Sequence, residues 1–328
     1  MISTVVGSYP VIIKPPKTRK NKLLNAIGLY DKCKIAIQHS VKSQVNAGID
    51  IISDGQVRGE MVEIFAKCIP GCKIEENTCK INAKINNPLE NIGVKDLKLA
   101  IKYMNQELDK LNISSKDRKK KGVKGIITGP STIVQSSKIG PIYKNKDIAI
   151  IDMANALKSE AIALEKAGAK ILQIDEPFLS TGLINMEIAK DAIGIISKEV
   201  KIPVAIHCCG DIKNVFEDLI NFNVDIIDCE FAGQNTNLDI LDSYSTNLKG
   251  KKIGLGVVDT KKSSVESIEE IAKLIEKGLD IVGDKDLFID PDCGMKLLPE
   301  EIAFKKLKNM VEAIKLFIEL SHMINHFN

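Results

Sequence analysis

Four side chains able to bind a metal stand at separated points in the second half of the chain: His207 and Cys209, then Glu230, then Cys293. An imidazole, two thiolates and a carboxylate make a donor set suited to zinc, a borderline-soft ion that accepts nitrogen, sulfur and oxygen. The spacing is not that of a zinc finger, where close pairs of ligands bracket a small loop. It requires a fold that carries distant segments to one point. The bland alternative makes Cys209 and Cys293 buried rim cysteines and His207 a hydrogen-bonded core histidine. Cys208 and Cys229 adjoin the proposed ligands, but alternation along an extended segment turns them away, toward packing. Cys68, Cys72 and Cys79 form a second group with no fourth donor nearby and read as unrelated thiols.

The elements that must position these residues are legible as apolar runs. Short β-branched stretches at 4–7, 49–54, 125–128, 171–175, 204–207, 225–228, 253–258 and 287–290 alternate with amphipathic segments such as 147–167, 186–200 and 264–277. Nearly continuous apolar strands, each followed by a helix, point to an α/β fold: a (β/α)8 TIM barrel. An open doubly wound sheet is the alternative, weakened because Val6-Gly7-Ser8-Tyr9-Pro10 is not a dinucleotide-binding glycine turn. The connection from about 66 to 122 is too long for a simple helix and predicts a hairpin-plus-helix insert after the second strand. No linker or repeat divides the chain, so residues 1–328 read as one catalytic domain. Ser8, Gln56, Asp175, Glu176, His207, Cys209, Glu230 and Cys293 fall at or just beyond strand C-termini, the face on which such barrels carry chemistry.

Composition narrows the partners. The formal charge is +3, with 46 basic against 43 acidic residues, so no general field favours nucleic acid or an acidic membrane. No apolar run is long enough to cross a bilayer, and the N-terminus lacks a secretory pattern, which places the protein in the cytoplasm. There, eight cysteines are not expected to be disulfide staples.

With these residues in view, the sequence resembles the C-terminal catalytic domain of the cobalamin-independent methionine synthases, in particular their short single-domain archaeal type. The likeness runs through Val6-Gly7-Ser8-Tyr9-Pro10, Arg58 to Phe65, Gly129-Pro130-Ser131-Thr132-Ile133 and Gln173-Ile174-Asp175-Glu176-Pro177. It continues through His207-Cys208-Cys209, Glu230, Gly256-Val257-Val258-Asp259 and Asp290-Pro291-Asp292-Cys293-Gly294-Met295-Lys296. The resemblance implies that His207, Cys209, Glu230 and Cys293 bind zinc, that Asp175 holds the amino group of homocysteine, and that Ser8 holds its carboxylate. Glu176 is a second substrate contact, and Gln56 lies near a family glutamate position. The implied reaction is methyl transfer to homocysteine, giving methionine. Zinc removes the thiol proton, and the incoming sulfur displaces Glu230, the hardest donor of the set.

Two departures concern the methyl donor. The chain has no tryptophan, and Gln135-Ser136-Ser137 stands where folate-using members carry an aromatic residue. Asp259-Thr260-Lys261-Lys262 replaces a segment holding a histidine in those members. A folate nitrogen leaves badly unless protonated. A cobalt-bound methyl group needs no acid, so these losses favour methylcobalamin presented by a corrinoid protein docked over the barrel mouth. The alternative is that Lys261 supplies the acid to a folate. A rival reading makes the protein a zinc thiol methyltransferase acting on coenzyme M. A reading of another class makes it a non-catalytic, zinc-stabilised barrel with a binding role.

Overall fold

The computed structural model describes residues 1–327 apart from 12, 14 and 28, with side chains through residue 317. The chain opens with β1 (Ile2–Ser3), α1 (Arg19–Ala26), α2 (Cys33–Ala47) and β2 (Ile51–Ile52). Next come α3 (Met61–Ala66), a hairpin of β3 (Cys72–Glu75) and β4 (Thr78–Ile81), α4 (Val94–Lys110) and α5 (Ser115–Lys120). β5 (Gly122–Val123) and β6 (Gly125–Thr128) form one line interrupted at Lys124, followed by α6 (Pro130–Gln135), β7 (Lys138–Ile139) and α7 (Lys146–Lys166). Strict alternation follows: β8 (Leu172–Asp175), α8 (Met186–Ser197), β9 (Val204–Cys208), α9 (Phe216–Ile220), β10 (Ile226–Glu230) and α10 (Thr236–Ser243). It ends with β11 (Lys252–Gly256), α11 (Ile268–Val282), β12 (Leu287–Asp290) and α12 (Glu300–Phe327).

Seven strands pair in the order β1-β12-β11-β10-β9-β8-β6, every ladder parallel. The remaining gap is spanned by β2, which pairs in parallel with β5 and meets β1's continuation through a Thr4–Ile51 bridge. Lys124 N–H adds a bond to the Ile52 carbonyl at 2.9 Å. The sheet thus curls round eight positions as a (β/α)8 barrel, and the open-sheet alternative falls away. Several strand limits differ from the expected ones. The first ladder covers Ile2–Ser3 rather than 4–7, and the sixth strand reaches Glu230, so that carboxylate ends a strand instead of following it.

The insert contains the expected hairpin and helix. Glu76 and Asn77 both take positive φ (49° and 60°), the conformation of a tight two-residue hairpin turn. An unexpected partner appears: β4 also pairs in parallel with β7, tying the insert to the segment after α6. The helices follow from local sequence. In α11, Ser267 and Glu270 form a reciprocal capping box, and Ile271 and Ile275 bury one face. Among the described residues no helix is long and apolar enough to cross a membrane.

The barrel interior sets the chemistry. Read at the two-residue period of a strand, the inward positions are Ile171-Gln173-Asp175, Ala205-His207-Cys209, Ile226-Asp228-Glu230 and Phe288-Asp290-Asp292. Ile51, Ile171, Ala205, Ile226 and Phe288 close the lower end as an apolar plug. Above it lies a buried polar layer, then the mouth. The alternate positions, such as Ile174, Ile206, Cys208, Ile227 and Cys229, join the main core beneath the helices.

Candidate active site

β9 and the turn after it carry His207 and Cys209, and the turn after β12 carries Cys293. His207 Nε2 lies 3.0 Å from Cys209 Sγ, and Cys209 Sγ lies 3.4 Å from Cys293 Sγ. The three donor atoms all fall within 4.8 Å of one another, and they are the only such group of three among the described residues. Tetrahedral zinc, with bonds of about 2.0 Å to nitrogen and 2.3 Å to sulfur, would set donors about 3.5 to 3.8 Å apart. The observed spacings are a few tenths of an ångström tighter, so a small opening would accommodate an ion.

The ring of His207 is backed by Asp228 Oδ1, 3.2 Å from Nδ1, in ion-pair range though not aligned as a hydrogen bond. A carboxylate behind a ligating imidazole fixes which nitrogen points at a metal. Burial works against charge on His207, but Cys209 and Asp228 outweigh it and hold the ring's pKa well above the ordinary value. Hydrogen bonding from the Cys209 thiol, with help from His207, pulls the Cys293 thiol well down, while Cys209 is pushed up. Their surroundings therefore already stabilise one thiolate, the form in which a cysteine binds metal.

Glu230 is not brought into this group. Its carboxylate, 1 % exposed, is held by Lys261 Nζ at 2.7 Å, a side chain 64 % exposed at the rim. The loop bearing Lys261 is anchored beneath by the fully buried Lys306, which donates to the Asp259 carbonyl at 2.9 Å and to Glu266 Oε1 at 2.8 Å. Asp292 fixes the neighbouring turn by accepting from the N–H groups of Phe231 and Ala232 at 3.0 Å and Gly233 at 2.6 Å. Asp292 reaches that turn across the end of β11 because residue 256 is glycine, where a Cβ would overlap Asp292 Oδ1.

A cleft of about 180 Å3 opens beside the donor group, lined by Ser8, Gln56, Asp175, His207, Cys209 and Cys293 among others. Asp175 sits at its wall, and burial pushes its carboxyl up to about 6 despite the opposing pull of His207 and its hydrogen bond from Gln173. Gln56, at φ 46°, lays its carboxamide against Gly7, with Asp54 Oδ1 accepting its N–H at 2.8 Å. Lys296 shuts the rim by donating to the Gly59 carbonyl at 3.1 Å and to Glu60 Oε1 at 2.7 Å.

Glu176 does not face the cleft. Its Oε1 accepts from Ser131 N–H at 2.9 Å, and its Oε2 from Thr132 N–H at 2.8 Å and the Thr132 hydroxyl at 2.7 Å. It caps the N-terminus of α6, and residue 129 must be glycine because a Cβ there would overlap the carboxyl. The expectation of a second substrate contact is therefore corrected: adjacent residues of an extended segment point opposite ways, and both oxygens are taken. Replacing Glu176 with alanine strands three donors. It should cost about 2 kcal/mol of stability in urea unfolding, because three buried donors lose their acceptor.

Sequence reasoning missed Asp228, Lys124 and Gln173 in the buried layer, Lys261 as the partner of Glu230, and Lys296. Asp228 was findable, two positions before Glu230 on the same strand face. Lys296 stood in the quoted motif without a role, and nothing in the spacing paired Lys261 with Glu230.

Comparison with known proteins adds to this geometry. Residues 1–316 match a family described as the cobalamin-independent synthase, catalytic domain. The chain belongs to that family. A methionine synthase of Methanothermobacter thermautotrophicus is 49% identical over 315 residues, 95% of this chain and 99% of that protein. One from Methanocaldococcus jannaschii is 45% identical over 327 residues, 96% and 99% of the two chains. Among solved structures, a B12-independent methionine synthase from Shewanella, in complex with selenomethionine, superposes with a TM-score of 0.77 at 23% identity, covering 98% of each chain. Membership makes the chain an enzyme, a methyltransferase. It also overturns the expected methylcobalamin donor and corrinoid-protein partner, since the family is cobalamin-independent. That expectation rested on a missing aromatic residue and a missing acid, and Lys261 stands at the rim near the second of these positions, 2.7 Å from Glu230.

Proposed function

We propose that the enzyme makes methionine by methyl transfer to homocysteine, using a zinc ion held by His207, Cys209 and Cys293, in a barrel that is a single catalytic domain. The observation that carries this reading is the convergence of those three donors beside Asp175 in one cleft. Three protein donors would leave such an ion able to take a substrate sulfur, the pattern of catalytic rather than structural zinc. When bound, zinc would supply the positive charge that keeps the substrate thiol deprotonated at neutral pH.

The chain's own residues do the rest. Asp175, ionised above pH about 6, attracts the substrate ammonium, and Ser8 in the turn after β1 receives the carboxylate. Coenzyme M, a sulfonate without an amine, would meet repulsion from Asp175. Glu230 is the reserve oxygen donor, kept at the edge of the group by Lys261. The donor in this reading carries its methyl on a nitrogen, as a folate does, and Lys261 is the cation at the rim placed to protonate it, once freed from Glu230, whose pairing holds the lysine's pKa up.

Methionine formation from homocysteine and methyltetrahydrofolate by the zinc-loaded enzyme tests the reaction. The expected result is turnover that disappears on chelation. Zinc-edge X-ray absorption with and without homocysteine tests the site: an added sulfur ligand is expected, and an unchanged coordination sphere would identify a closed structural metal instead.

A further inference from the structure

Two buried residues that no step above uses connect the two ends of the substrate site. Lys124, 4 % exposed, stands at the break between β5 and β6 and donates from Nζ to Gln173 Oε1 at 2.5 Å. Gln173 is fully buried and donates from Nε2 to Asp175 Oδ1 at 2.7 Å and to the Val6 carbonyl at 2.6 Å. An ammonium group has donors only, so the Gln173 oxygen must face Lys124 and the amide nitrogen must face Asp175 and Val6. The carboxamide cannot turn over without setting donor against donor. Val6 is followed by Gly7 and Ser8, so this one side chain ties the carboxylate-binding turn to the ammonium-binding carboxylate. A barrel interior is filled more cheaply by apolar residues, as the plug below shows, and an isolated buried ammonium is costly. Burial pushes the Lys124 ammonium's pKa down, and the nearby carboxyl groups of Asp228, Asp290 and Asp175 oppose that shift without cancelling it.

We infer that Gln173, oriented by Lys124, is a positioning residue that fixes the Asp175 carboxylate relative to the Ser8 turn and so selects thiols carrying an α-amino acid group. This rests on the proposed homocysteine reaction. Without its donor, Asp175 loses its fixed direction, and the distance between the two ends of the site is no longer set.

The test compares wild type, Gln173→Leu and Gln173→Met, each zinc-loaded. It measures KM and kcat for homocysteine together with Ki for 4-sulfanylbutanoate, the same thiol acid without the amine. A hydrogen bond to a charged group corresponds to roughly a ten- to hundredfold change in binding. KM for homocysteine should rise by that factor in Gln173→Leu, with kcat little changed and Ki for the amine-free acid near its wild-type value. Gln173→Met keeps the length and nearly the volume but has no donor for Asp175, so it should show the same selective loss if the leucine variant does not fold. Unchanged KM in either variant, or KM and Ki rising together, would overturn the inference. If wild type itself holds homocysteine no better than the amine-free acid, the failure lies earlier, in the role given to Asp175, and the inference falls with it.

Discussion

Replacing Cys293 with alanine is expected to abolish methionine formation, by at least about a thousandfold, and to leave the purified protein with substoichiometric zinc. Cys293 is the thiol whose surroundings hold it as thiolate, and it lies 3.4 Å from Cys209. Deleting one of three donors removes both affinity and the means of lowering the substrate thiol's pKa. The effect should exceed that of Asp228→Ala, which removes only the group behind His207 and should cost about ten- to a hundredfold in metal affinity. Metal analysis and turnover, measured on both variants, order the two. Full zinc occupancy in the Cys293 variant would show that the metal is held elsewhere. Collapse of the fold is not the expected cause, because Cys293 is only partly buried and lies in a turn.

Asp175→Asn should raise KM for homocysteine by about a hundredfold, on the scale of a lost charge-assisted contact in a buried site, with a smaller effect on kcat. The pH dependence carries the sharper evidence. Burial raises the Asp175 carboxyl to about 6, so its negative charge is present above that pH and lost as pH falls through it. In wild type, KM for homocysteine should therefore climb as the pH drops below about 6. In the asparagine variant that acidic limb should vanish, because no charge is left to lose. A wild-type KM that stays flat down to pH 5 would separate Asp175 from the ammonium group.

Much of the barrel could be read in advance because buried parallel strands leave continuous apolar runs, and chemistry gathers where those runs stop. Gly125–Thr128 and Leu287–Asp290 fall where their β-branched character places them. The pairing of β4 with β7 had no local signature, because it depends on how the insert folds back. The role of Glu176 was readable from alternation, given that Asp175 faces inward, but family likeness drew both acids toward the substrate. The polar layer under the mouth was harder. Gln173 and Asp228 sit singly within apolar runs, and only the closed ring reveals that they meet Lys124 and His207. Lys261 lies in a loop whose course is set by Lys306, far along the chain, and no spacing rule links those residues.

On the proposed zinc reading, the bridge made by Asp292 bears on what happens to the enzyme between metal loads. Cys293 follows Asp292 directly, and the turn that Asp292 grips follows Glu230 directly. The segment that bears Cys293 is thus fastened to the turn after Glu230 by hydrogen bonds from backbone N–H groups to the Asp292 carboxylate, in which no ion takes part. A chelator would strip such a protein without erasing the outline of its site. Inactivation by metal starvation should then be a pause rather than a loss, and the same molecules should return to work when zinc returns, with no need to be made or folded anew.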